Sequence, residues 1–299
     1  MNALLIPVHV AKINWLVSLL NTTRERLREN EPLNFDIILV VSNDGEREII
    51  RKSLDFFCER MTPFIKYFNA QGYIEAKYGN GKILERYRRN DDKCIVNLKK
   101  FISLYFFMNK YEYIAVIDCD CIFVSDPNIL FPKLVENYLT GEYFSGGGGG
   151  VAFTSIMEDC ASFFGEEEVQ KLKEMSSSFK LFPWFFDVPI YSSVDLKSFF
   201  NFMFSKSTDE EGFWLKLKWG SFEHIIYIFY RALFLDGKIR DYSGMFPGKI
   251  PEHLTQSEIE KIKYIYDYSP AWLRFRAVVN ETMSPSKNDF SLLYHVDRK

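Results

Sequence analysis

Histidine, cysteine and positive charge are all in short supply in this chain of 299 residues. It has 4 His and 5 Cys, and 37 Lys and Arg stand against 40 Asp and Glu for a net charge of -3. Cys58, Cys94, Cys119, Cys121 and Cys160 show neither C-x-x-C nor the Cys/His spacing of a zinc site. An odd number of thiols without a regular framework excludes a disulfide scaffold, and reduced thiols in a cytosolic setting are the expectation. A net negative chain has no general field to draw nucleic acid, so no nucleic-acid partner is expected. There is no run of about 20 uncharged apolar residues, hence no expected transmembrane helix. The amino terminus opens on strand-like residues 3–8 without a basic leader, so no signal peptide is expected. Together these absences point to the cytoplasm, with peripheral attachment at the inner face of a membrane as a second option. No internal repeat is evident.

What the chain has is apolar and aromatic mass. Hydrophobic residues make up 47% and aromatic residues 17%, with 29 Phe. That suffices for a sizeable core. The first half is regular. Residues 3–8 and 36–41 read as buried strands. Helical spacing follows each of them, over residues 12–30 and from Asn43 to about residue 61, with Ile49, Ile50, Leu54, Phe57 and Cys58 inward in the second helix. Asn43 followed by Glu46 is a capping-box-like start. Strand–helix alternation predicts a mainly parallel sheet with right-handed crossovers, an α/β fold. Residues 65–68 are a third candidate strand. Residues 71–89 carry three glycines and a basic run and read as a loop. Residues 97–110 read as a helix with Lys99 and Lys100 in its first turn, as surface lysines or as cations for a ligand. A composition change near residue 127 divides the chain into residues 1–126 and an aromatic, less regular half, residues 127–299, within one compact unit.

The chain is organised around residues 113–124. An apolar, largely β-branched run stops at Asp118 and Asp120, spaced i, i+2, and apolar residues then resume. If the strand runs through, a period of two puts both carboxylates on one side of it. Two such acids repel unless a positive group lies between them, and a hard divalent cation carrying a phosphate satisfies that need. A plain acidic turn after a strand is the other reading. Carboxyl ends of strands are also where open α/β sheets bind ligands.

This stretch resembles the Asp-X-Asp motif of GT-A-fold glycosyltransferases that use nucleotide sugars. The resemblance implies a GT-A, Rossmann-like sheet flanked by helices, with a donor-binding half before residue 127 and an acceptor-binding half after it. It implies that Asp118 and Asp120 hold Mn²⁺ or Mg²⁺ against the diphosphate of a UDP- or GDP-linked sugar, with Asp118 also contacting the donor. Asn43 and Asp44, after the second strand, match the position that contacts the base. Pro7 and His9 lie in the matching loop after the first strand. Lys99 and Lys100 match cations supplied by the helix before the motif. Residues 222–237 are similar to the acceptor-side helix of inverting members, with Glu223 at its start, Arg231 within it and Gly237 at its stop. Glu223 is then the expected base, with Asp187, in the aromatic segment 179–193, as the second candidate. This chain has His224 where the family usually has an acid. His295, near the carboxyl terminus, resembles a histidine that completes metal coordination in several members.

The expected activity is metal-dependent transfer of a sugar to a glycan or similar hydroxyl acceptor, with inversion, in a bacterial or viral enzyme of glycan biosynthesis. An inactive relative or carbohydrate-binding protein is the alternative. A sugar-1-phosphate nucleotidyltransferase fits less well, because the loop after the first strand (Val8 to Lys12) is not rich in glycine and basic residues. The five consecutive glycines at 146–150 lead into residues 151–154, which read as a strand. They fit a close backbone approach to ligand, a connector or an artificial loop replacement.

Overall fold

The structure, a computed structural model, describes residues 1–28, 31–90, 94–123, 126–146, 151–176, 180–182, 185, 188–242 and 293–295. Its centre is a five-stranded mixed sheet in the order β3-β2-β1-β4-β7. The strands are β1 (Asn2–Pro7), β2 (Phe35–Val41), β3 (Ile65–Asn69), β4 (Tyr113–Val116) and β7 (Ile190–Ser192). β1 pairs in parallel with β2 and β4, and β2 with β3, while β7 lies antiparallel on β4. The central strands are apolar on both faces. Residues 37–41 and 114–116 are all buried, the signature of a sheet covered by helices.

Helices α1 (Ile13–Arg26) and α2 (Asp44–Phe57) follow the first two strands as crossovers. Asn43 caps α2, its side chain accepting from the Glu46 amide at 2.9 Å. The helix ends four residues earlier than its sequence pattern suggests. A 3-10 segment, Glu59–Phe64, takes over, with Pro63 inside it. Ile49 and Phe57, expected to face inward, are instead 54% and 58% exposed, whereas Ile50, Leu54 and Cys58 are buried.

Residues 71–89 are not a loop. They form α3 (Ala70–Tyr78) and α4 (Lys82–Arg89), separated at Gly79 with φ +65°. The glycines punctuate this segment without dissolving it, because buried Ile74, Ile83, Leu84 and Tyr87 anchor both helices. Arg86 donates to the carbonyls of Trp214, Leu215 and Leu217. One residue of the expected basic surface is thus a tie to the second half.

Helix α5 (Ile95–Phe107) is buried nearly all round, as expected of a helix with no clean polar face. It packs on β1, β2 and β4 on one side and on α9 (Ser193–Lys206) and α11 (Glu223–Phe234) on the other. It therefore turns Lys99 and Lys100 inward, at 3% and 5% exposure. Neither is a surface lysine, and both lie beyond the first turn.

After β4 come β5 (Cys121–Phe123), α6 (Leu130–Thr140), β6 (Glu142–Gly146), α7 (Val151–Ala161), α8 (Glu166–Glu174), α10 (Glu210–Lys216), β8 (Lys238–Tyr242) and β9 (Leu293–His295). β6 and β8 form a parallel pair. Residues 151–154, read from sequence as a strand, begin α7. Ile156, Met157 and Cys160 are buried at helical spacing, and this outweighs the β-leaning start. In the ring-rich interior Phe101 of α5 meets Phe199, Phe200, Phe213 and Trp214 of the second half in a cluster of stacked, tilted and edge-to-face rings. Thr255 and Glu258 form a capping-box pattern that predicts a helix over residues 258–266, and this segment, like the glycines 147–150, lies outside the described residues.

Candidate active site

β1, β2 and β4 end at one edge of the sheet. The Val8 amide still donates to the Val40 carbonyl at 3.1 Å and the Ile117 amide to the Leu5 carbonyl at 3.1 Å. Outside this edge lies a cavity of about 820 Å³. Its walls are the loop from Pro7 to Lys12, residues Ser42, Asn43, Gly45, Glu46 and Ile49 after β2, Asn90, Ile95, Val96 and Lys99, and Asp118 and Cys119 after β4. That volume suits a ligand of nucleotide size, and the location is where open α/β sheets bind ligands.

A buried ion pair fixes the rim. Glu46 accepts from the Ser42 amide at 2.5 Å and the Val10 amide at 3.3 Å, and Lys99 Nζ lies 3.1 Å from it. The Lys99 ammonium also donates to the Val8 carbonyl at 2.6 Å. One carboxylate and one ammonium thus join the loops after β1 and β2 to α5. Burial by itself would raise the Glu46 pKa, but the Lys99 charge and the Ser42 amide outweigh it and hold the carboxyl below its usual range. Burial lowers the Lys99 pKa against the pull of Glu46.

A second set of charges lies beneath the motif. Strand β4 stops at Val116, and residues 119–120 form a turn, so strand alternation does not set where the two acids point. Asp118 borders the cavity. Asp120 is 1% exposed, and Lys12 Nζ is 2.5 Å from its Oδ2. Lys100 is shared, its Nζ 3.2 Å from Asp118 Oδ1 and 3.5 Å from Glu223 Oε1. Burial disfavours the Lys100 charge, but Asp118 and Glu223 more than compensate and raise its pKa. Glu223 has no exposed surface, and burial raises its pKa against the opposing charge of Lys100. His224, beside it, is pushed down to about 3 by burial and the neighbouring Lys100 charge, and is neutral at pH 7.

The residues singled out from sequence divide by place. Pro7, His9, Asn43, Lys99 and Asp118 line the cavity. His9 Nδ1 accepts from the Ala11 amide at 3.2 Å and so shapes the first loop. Asp44 is exposed at the first turn of α2 and pairs with Arg47 at 3.2 Å, away from the cavity wall. Lys100 and Glu223 meet in the interior. A group that takes a proton from an acceptor must come within hydrogen-bond reach of it, and Glu223 is sealed from solvent here. The backbone of β9 pairs antiparallel with β5, Cys121 opposite His295, which brings the carboxyl-terminal segment next to the motif. Asp187 lies outside the described residues. Sequence reasoning gave no role to Lys12 and saw Glu46 as a helix cap alone. A lysine opening a helix carries no signal of its pairing partner 108 residues away.

The donor set can be tested against a divalent cation. Among the described residues no three His, Cys, Asp or Glu side chains converge into a metal cage. Mg²⁺ and similar hard ions do not need one, since they bind through one or two carboxylates and keep water or substrate phosphate as the remaining ligands. Asp118 at the cavity and Asp120 beneath it supply two oxygen-donor groups, and the Lys12 ammonium stands on Asp120 as a positive charge would. The residues fit such an ion.

No protein-family model matches the chain, and no curated protein matches it in sequence. Solved structures do match in fold. Mouse xyloside xylosyltransferase 1 in its apo form aligns over 99% of this chain and 98% of its own, at 9% identity and a TM-score of 0.50. The bifunctional glycosyltransferase WbbM aligns over 99% of this chain and 46% of its own, at 13% identity and a TM-score of 0.47. The mixed, mostly parallel sheet flanked by helices is thus a fold shared with the xylosyltransferase.

Two outcomes follow from the buried charges. Lys100→Met strands Glu223 and is expected to cost about 3–5 kcal/mol, whereas adding Glu223→Gln should restore part of it, with a coupling of about 1–3 kcal/mol in urea unfolding. Strictly additive losses would show that the two groups do not interact. His224 stays neutral when folded down to about pH 3 and gains a proton near pH 6.5 when unfolded. The unfolded state therefore binds more protons between those values, and stability falls as pH falls through that window. His224→Asn should remove up to about 1.4 kcal/mol of loss per pH unit between roughly pH 6 and 4. Equal slopes for both proteins in urea titrations would show that folded His224 titrates normally.

Proposed function

We propose that this chain is a glycosyltransferase that takes its sugar from a nucleoside diphosphate sugar and uses a divalent cation, Mn²⁺ or Mg²⁺, at Asp118 and Asp120. The observation that carries the reading is the meeting, at the carboxyl edge of β1, β2 and β4, of a nucleotide-sized cavity with an acid pair backed by lysines. The xylosyltransferase-like fold supports it.

In this reading the loop after β1 and the residues Ser42, Asn43 and Gly45 receive the nucleoside. Asp44, exposed and paired with Arg47, is not needed there. Lys99 holds the rim in shape through Val8 and Glu46 and leaves ligand contact to other groups. The bound cation supplies charge neutralisation for the leaving diphosphate. Asp118 and Asp120 hold it, and Lys100 fixes Asp118 from beneath while Glu223 balances Lys100. Glu223 is thereby a counter-ion. Under an inverting route the proton of the acceptor hydroxyl goes to Asp187, the other carboxylate proposed for that task. His295, carried by β9 to the motif, is the proposed third protein ligand. The acceptor is a glycan or a similar hydroxyl compound.

The test is calorimetric titration of UDP and GDP with Mn²⁺ present and again with EDTA. Micromolar binding of one nucleotide that disappears with EDTA, and that Asp120→Asn weakens by at least about tenfold (1.4 kcal/mol), is the expected result. A folded protein that binds neither nucleotide under either condition would contradict the reading.

A further inference from the structure

We propose that Lys12 is a shuttle between Asp120 and the anionic ligand, so that cation and diphosphate bind with positive coupling. The proposal rests on the reading of the acid pair given above and adds a role that sequence and fold left without an owner.

The two lysines at the acid pair are built differently. Lys100 is 5% exposed and bracketed by Asp118 and Glu223, so it cannot leave without stranding buried charge. The Lys12 side chain is 46% exposed. Its carboxylate partner is the opposite, Asp120 at 1% exposure, a buried charge that needs a positive neighbour at all times. An arriving cation can take over that duty because Lys12 has solvent to turn into.

The freed ammonium does not go far. Lys12 closes the loop after β1 and opens onto the same cavity as Asp118 and Asn43. A cation on the acids and the Lys12 ammonium, released from Asp120 toward the wall, together present positive charge to a diphosphate. With Lys12 on Asp120 neither is on offer. A cation therefore raises affinity for the anion, and by thermodynamic reciprocity the anion raises affinity for the cation by the same factor.

Free Mn²⁺ measured by electron paramagnetic resonance reads this directly, in wild type, Lys12→Gln and Lys12→Arg, each with and without UDP or GDP. In Lys12→Gln no ammonium has to be expelled, so Mn²⁺ alone should bind at least about fivefold tighter than to wild type. The tightening of Mn²⁺ by nucleotide should shrink by at least about fivefold in the same variant. Lys12→Arg, which keeps the charge, should stay close to wild type. Mn²⁺ affinity in Lys12→Gln that equals or falls below wild type overturns the proposal, as does an equal change in both variants, which would mark a loop disturbance. A wild type that binds no Mn²⁺ with or without nucleotide would instead remove the metal reading itself, and the shuttle with it.

Discussion

A single ammonium sealed between two carboxylates ties the motif to the far half of the molecule. Lys100 comes from α5, Asp118 from the end of β4 and Glu223 from the first turn of α11, elements far apart in sequence. In water such a triad is worth little. In the interior each charge is costly unless the others are in place. Their positions are therefore mutually fixed, and the cavity-side acid inherits that rigidity. A site that must hold a ligand in defined geometry gains from being built on packed elements whose side chains have no freedom to drift.

The same logic operates at the rim. Glu46 and Lys99 take up backbone donors and an acceptor that end with the sheet, namely the Ser42 and Val10 amides and the Val8 carbonyl. Loops at strand ends are mobile by default, because their polar backbone has no ladder partner. Here a buried ion pair stands in for that ladder. The cavity thus has one charged frame in Glu46 and Lys99 and meets a second through Asp118, with Lys12 as an exposed charge on its wall.

Much of the first half was legible in the sequence. Apolar runs 37–41 and 113–117 read as buried strands, and alternation with helical spacing left a parallel sheet as the economical fold. The acid pair declared itself by interrupting such a run. What failed had local causes. Glycines at 72, 79 and 81 suggested a loop where anchored side chains held two helices. Of the two readings open for Lys99 and Lys100, the surface one failed, because α5 buries both against acids that sequence distance conceals. Glu223 stands at a helix start, where an acid favours the dipole whether or not it faces solvent. Its sealed position depends on Lys100, 123 positions earlier, and no periodicity reports that. Lys12 and Glu46 were missed for the same reason.

The fold is shared with a xylosyltransferase, and the charges at the sheet edge are what support the proposed cation-borne diphosphate. Crystals grown with Mn²⁺ and the nucleotide that binds, recorded at a wavelength where manganese scatters anomalously, test that claim most directly. The account predicts an anomalous peak bonded to Asp118 and Asp120, with the diphosphate on its open side and the nucleoside against Asn43. A nucleotide bound elsewhere, or a peak away from both aspartates, would contradict it.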